Sequence, residues 1–190
     1  MSSHNDIRLK NMVYNGQKVK KWRHNGTVVY SSSLDPITTA LRAYGSNAMA
    51  GWSSYTNNWY ANTYDLTDVK TIKFTVVRYY NDTDSGDDGQ KWYYNAYEAL
   101  VGVSTNKSTY AKSVTSMYGQ YSYTGTYSNT VTLTLDVSAL SGNYYIGVGS
   151  RGGSTMSRTD WQDKGYICDA LESYLTQTMY ANITKVEFVY

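Results

Sequence analysis

The chain has 190 residues, with 17 Lys and Arg against 15 Asp and Glu and a formal net charge of +2. A field that weak excludes non-specific nucleic-acid binding and electrostatic attachment to an acidic membrane. Tyr 22, Trp 5 and Gly 15 against a single Pro describe an aromatic, turn-rich β protein, long enough for one domain with a core and a small appendage.

No apolar run is long enough to span a bilayer, and the first residues, MSSHNDIRLK, lack the apolar stretch of a secretion signal. The expectation is a protein made in a cytoplasm without a signal peptide, released by lysis or as part of a particle. Cys168 is the only cysteine, which excludes an intrachain disulfide and thiolate zinc sites.

In chain order, Met12 to Val19 recurs as Trp22 to Val29 with Asn15-Gly16 and Asn25-Gly26 in register. Asn-Gly between β-rich arms is a strong signal for a type I′ turn, so residues 1–33 are predicted to form a three-stranded meander. Lys18, Lys20, Lys21 and Arg23 make its middle basic, as surface strands often are. Ser31 to Pro36 holds the sole proline and marks a linker at 34–36, followed by a second domain over 37–190.

In that domain Ile72, Phe74 and Val76 alternate with Lys73, Thr75 and Val77, which predicts a half-buried strand over Tyr64 to Tyr80 after a polar lead-in. Residues 92–103 read as a strand, aromatic at one end and apolar at the other. Tyr110 to Asn129 reads as a hairpin. Thr130 to Gly149 carries the cleanest alternation, Val131, Leu133, Leu135 and Val137, then a Ser141-Gly142-Asn143 break and Tyr144 to Val148, and is predicted as strand, turn and strand of one hairpin. Only Trp161 to Thr178 suggests helix. Val186, Phe188 and Tyr190 close the chain as a last strand, expected to lie beside the first strand of the domain. The fold class is therefore all-β, a small meander followed by a jelly-roll β-sandwich.

Catalytic material is sparse. His4 and His24 are the only histidines and neither offers a plausible base for a Ser-His-Asp arrangement. Glu98, Glu172 and Glu187 are scattered, although an Asp pair leaves a glycoside hydrolase as a minor alternative. Asp82, Asp84, Asp87 and Asp88 offer hard oxygen ligands, but Asp87 stands where the EF-hand pattern needs Gly and Tyr93 where it needs Glu. A solvated turn is the leading reading there and a calcium site of another kind the alternative; no other cofactor is expected.

The aromatic residues are the functional material. A glycan presents apolar C–H faces ringed by hydroxyls, which suits an exposed Trp or Tyr with polar groups at its edge. Three clusters meet that description: Trp52, Trp59 and Tyr60 with Asn57 and Asn58; Trp92 and Tyr94 with Asp88 and Gln90; and Trp161 with Arg151, Asp160 and Gln162. The competing reading is that each Trp plugs an end of the sandwich as core.

Tyr14, Asn15, Gly16, Val19, Lys20, Lys21, His24, Asn25, Gly26, Val29 and Tyr30 form a YNGxxVKKxxHNGxxVY pattern. It resembles the small β module at the N-terminus of bacteriophage and prophage structural proteins of Gram-positive hosts. That resemblance implies a virion component of the tail, baseplate or a head fibre, with the module as a docking piece. The phrases YDLTDVKTIKFTV and LTLDVSALSGNYYIGVG are similar to strands of carbohydrate-binding modules. The sequence reading is thus a non-enzymatic phage virion protein that binds a host-surface glycan, associates with other virion proteins and forms a homo-oligomer, with a trimer as the first expectation. The alternative is a structural decoration or joining protein that binds no sugar.

Overall fold

The computed structural model describes residues 13–14, 17–18, 21–25, 27–31, 33–45, 53–82, 95–118, 125–154 and 177–190. Near the N-terminus β1 (Val13–Tyr14) pairs with β2 (Gln17–Lys18), and β3 (Lys21–His24) with β4 (Thr27–Ser31). Tyr14 faces Gln17 and His24 faces Thr27. Asn25 takes φ 48, the left-handed conformation that a type I′ turn requires. Among the described residues these are two separate two-stranded ladders, where the internal repeat predicted one meander.

Eight strands follow: β5 (Leu41–Tyr44), β6 (Thr56–Asp65), β7 (Thr71–Asp82), β8 (Asn95–Ser104), β9 (Lys112–Tyr118), β10 (Gly125–Asp136), β11 (Asn143–Ser154) and β12 (Gln177–Val189). They form two antiparallel sheets, ordered β10-β7-β12-β5 and β6-β11-β8-β9. Counted from β5, these orders are 6-3-8-1 and 2-7-4-5, which is the jelly roll. The expected closure is present: β12 pairs with β5, and Ile37 bridges Val186.

The core lies between the sheets. Ile72, Phe74 and Val76 of β7 and Met179, Ala181, Ile183 and Val186 of β12 meet Val101 and Val103 of β8 and Ile146 and Val148 of β11, all buried. Each large apolar side chain removed from water there contributes roughly 1.5–3 kcal/mol. The inward row of β7 continues as Arg78 and Tyr80, so its upper end buries polar and aromatic groups instead. Tyr80 stacks on Tyr97 at 4.4 Å and on Tyr127 at 5.3 Å, with Tyr118 alongside. Among the described residues tyrosines close that end of the sandwich.

Three expected elements take a different form. Thr130 to Gly149 is not a hairpin: β10 lies in one sheet and β11 in the other. Both strands bury a face in the same core, and the short connection turns the corner between layers, with Val137 buried and its N–H bonded to Lys70 O at 2.8 Å. Tyr110 to Asn129 likewise divides between the sheets, as β9 and β10. The Tyr64 to Tyr80 run is the end of β6, a turn and β7. Leu66 and Val69 are buried in that turn, and Asp68 takes φ 69. Most of the helical suggestion at Trp161 to Thr178 lies outside the described residues, and Gln177 and Thr178 begin β12.

Candidate functional site

Along β8, β11 and β6 every second residue points away from the core. Register places Gly102, Gly147 and Trp59 in one cross-strand row, Leu100, Gly149 and Asn57 in the next, and Glu98 opposite Arg151 in a third. Glycine leaves the middle of this outer face without side chains, and neighbouring groups lie down on it. A Cβ at Gly147 would sit 2.3 Å from Trp59 Cε3, one at Gly102 2.6 Å from Tyr110 Cδ1, and one at Gly149 2.4 Å from Asn57 Oδ1. The Trp59 and Tyr110 rings meet at 4.5 Å with a 36° tilt, and the Tyr110 hydroxyl donates to Asn57 Oδ1 at 3.2 Å.

Tyr110 is held by the β8–β9 loop. Asn106 Oδ1 accepts from the Ser108 and Thr109 amides, and Ser104 Oγ from those of Asn106 and Lys107, the side-chain-to-backbone bonding for which Asn and Ser are favoured in turns. Lys107, with φ 60, swings its ammonium 4.4 Å over the Tyr145 ring at the border of the face.

The third row is polar. Glu98 is only 7% exposed, and its Oε2 accepts from the Tyr55 hydroxyl at 2.5 Å and from Arg151 Nε at 2.7 Å and Nη2 at 2.6 Å. The Arg151 guanidinium also lies 4.3 Å over the Tyr55 ring. Burial pushes the Glu98 carboxyl up, but hydrogen bonds from Tyr55, Arg151 and Thr115 outweigh it and hold the group below the usual carboxylate range. Burial, followed by donation to Glu98, pushes the Tyr55 phenol far up; burial does the same to Tyr110. Both phenols keep their protons and Glu98 keeps its charge at neutral pH. Among its described residues the face therefore offers flat rings, an amide and a neutralised ion pair.

Of the residues singled out in the sequence, Trp59, Asn57 and Arg151 come together here although they belonged to two separate clusters. Tyr60 does not join them. Consecutive strand residues face opposite ways, and Tyr60 is buried in the core with its hydroxyl donating to Thr39 O at 2.6 Å. Asp82 ends β7, opposite Gly125 and Gln177. Trp52, Trp92, Tyr94, Asp160 and Trp161, and the aspartates Asp84, Asp87 and Asp88, lie outside the described residues. Among the described residues no three His, Cys, Asp or Glu side chains gather where they could hold a metal ion, and no helix is long and apolar enough to cross a membrane. Tyr55, Glu98 and Tyr110 are the members of the face that sequence reasoning missed.

No family model matches the chain, and no curated protein matches it. Among solved structures it is similar to infectious bursal disease virus, Gt strain, at 8% identity and TM-score 0.38, over 84% of this chain and 33% of that one. The T13 particle of that virus gives 9% and 0.38, over 87% and 38%. A mutant VP2 protein of the virus in T=1 particles gives 7% and 0.39, over 90% and 46%. The chain thus spans less than half the length of the chains it matches. At these scores the likeness carries no argument, and the jelly roll rests on this chain's own strand order.

Proposed function

We propose that the chain is a non-catalytic component of a phage virion whose sandwich holds a neutral host-surface glycan on the outer face of the β6-β11-β8-β9 sheet. The observation that carries this is the Trp59 and Tyr110 pair laid on the Gly102 and Gly147 backbone beside Asn57. A sugar ring would stack its C–H face on the aromatic pair and bond its hydroxyls to Asn57 and the Arg151–Glu98 edge. Because Arg151 already has its counter-ion, the face suits an uncharged ligand. The virion assignment rests on the resemblance carried by Tyr14 to Tyr30. Display in many copies would strengthen a weak single site through effective concentration.

The test is binding of the full chain to cells and wall polysaccharide of candidate Gram-positive hosts, with Trp59→Ala and Asn57→Ala beside the wild type. Saturable binding that soluble neutral glycan competes away, and that folded Trp59→Ala loses, is the expected result. No binding by the folded protein on any of these hosts would overturn the reading in favour of a structural decoration or joining protein.

A further inference from the structure

The opposite face of the sandwich carries a second aromatic cluster with different electrostatics. On the outer side of the β10-β7-β12-β5 sheet, Tyr44 and Arg42 of β5 stand opposite Tyr180 and Asn182 of β12, and Tyr180 stands opposite Tyr79 of β7. Tyr79 and Tyr180 stack at 4.6 Å and 13°, and Tyr44 meets Tyr180 edge-on at 5.8 Å. The Arg42 guanidinium lies 4.1 Å over the Tyr180 ring.

Arg42 differs from Arg151 in one respect that decides its chemistry. Its side chain is exposed, and among the described residues its only hydrogen bond is Nη1 to the Tyr44 hydroxyl oxygen at 3.1 Å; no carboxylate pairs with it. Glu187, on the same face of β12, is already tied to Lys185 at 2.8 Å. A guanidinium has five N–H donors in a planar fork that matches an oxyanion, and stacking on a ring fixes that plane before a ligand arrives. The Tyr44 oxygen accepts from Arg42, so its own O–H is left to donate outward. Asn182 is 9% exposed, and its Oδ1 is buried without a hydrogen-bond partner in the cross-strand position beside Arg42. A buried amide oxygen without a hydrogen-bond partner is destabilising, and such an atom in a native fold calls for a reason.

We infer that Arg42, Tyr44 and Asn182, with the Tyr79 and Tyr180 stack, form a second binding site, for an acidic saccharide whose carboxylate or phosphate sits on the Arg42 fork. The 53% exposed Tyr44 ring takes the sugar's C–H face, and Arg42 with the Tyr44 hydroxyl takes the charge. This site lies on the other sheet from Trp59 and does not depend on the neutral-glycan reading.

The test is calorimetric titration of the full chain with four probes of matched length: oligogalacturonate, a glycerol-phosphate oligomer, a neutral galacto-oligosaccharide and a polyglutamate peptide. Arg42→Gln, Arg42→Lys and Trp59→Ala are compared, each with its melting temperature checked. At least one acidic probe is expected to bind more tightly at low salt than at high, with Kd raised about tenfold or more by Arg42→Gln. Arg42→Lys, which keeps the charge and loses the fork, is expected to lie between, and Trp59→Ala to leave this Kd unchanged. Whichever acidic probe binds names the oxyanion. The inference is overturned if neither acidic probe binds at millimolar concentration, if folded Arg42→Gln binds as the wild type does, or if polyglutamate peptide binds as tightly as the acidic saccharide.

Discussion

Arg78 and Asn129 stand directly opposite each other in the β7–β10 ladder, and Nε and Nη2 of the arginine both donate to one Oδ1, at 3.0 and 2.6 Å. Nη1 crosses to the other sheet, donating to Ser116 Oγ at 2.8 Å and Met117 O at 3.0 Å. A buried guanidinium thus ties three strands together at the edge of the core. Arg78→Met removes the charge but strands the Asn129 and Met117 oxygens, and is expected to cost about 2–4 kcal/mol. Arg78→Lys cannot reproduce the fork and should recover less than half of that loss. Urea denaturation with an unchanged m-value would read both.

The Glu98 cluster makes stability depend on acid. Its folded-state pKa lies below the unfolded value of about 4.3, so its contribution is full above that value and is lost as pH falls through the folded-state one. Glu98→Gln is expected to be about 1–3 kcal/mol less stable at neutral pH, since the charge-assisted bonds from Tyr55 and Arg151 to Glu98 are weakened. The difference between variant and wild type should shrink below about pH 4. Denaturation midpoints between neutral and pH 3 would show whether the two curves converge.

Two glycines make opposite demands. Gly142 takes φ 94 with nothing within 4 Å of its missing Cβ, so Gly142→Ala meets backbone strain alone and should cost about 1–3 kcal/mol without disturbing the Trp59 face. Gly147 meets the Trp59 ring, so Gly147→Ala must displace that ring. A shift in Trp59 emission, and partial recovery of stability when Trp59→Ala is added, are expected for Gly147 only.

Alkali should unfold the sandwich through its phenols. Burial pushes Tyr60 up to about 12, against about 10 in an unfolded chain. A raised folded-state pKa means the contribution is full below about pH 10 and lost as pH rises through 12. Ultraviolet titration should give an early step from exposed tyrosines and a late one coincident with loss of β-sheet circular dichroism.

Period-two alternation made Ile72, Phe74 and Val76 legible as one buried row, and Val186 and Phe188 as the inward side of the closing strand. Alternation does not say which sheet a strand joins. In a jelly roll, consecutive strands often change layer, so the short break at Ser141 to Asn143 looked like a hairpin turn while Val137 was turning a corner. The site was legible in pieces. Trp59 and Asn57 share a face by parity, and the same parity puts Tyr60 on the other side. The glycine floor was not visible, because Gly102, Gly147 and Trp59 become neighbours only through pairing. Glu98 looked isolated because its partners, Tyr55 and Arg151, stand 43 and 53 positions away.

The closure of β12 on β5 has a mechanical consequence. The Leu34 amide donates to the Tyr190 hydroxyl at 2.5 Å, and Ile37 exchanges two hydrogen bonds with Val186 before the β5–β12 ladder begins. Tension between residues 34 and 190 meets these contacts one after another, as a zip opening from its end. A load that enters at residue 34 and leaves through Trp59 must instead pass from one layer to the other, through the packed core and many strand bonds at once. The domain should yield to the first pull and resist the second.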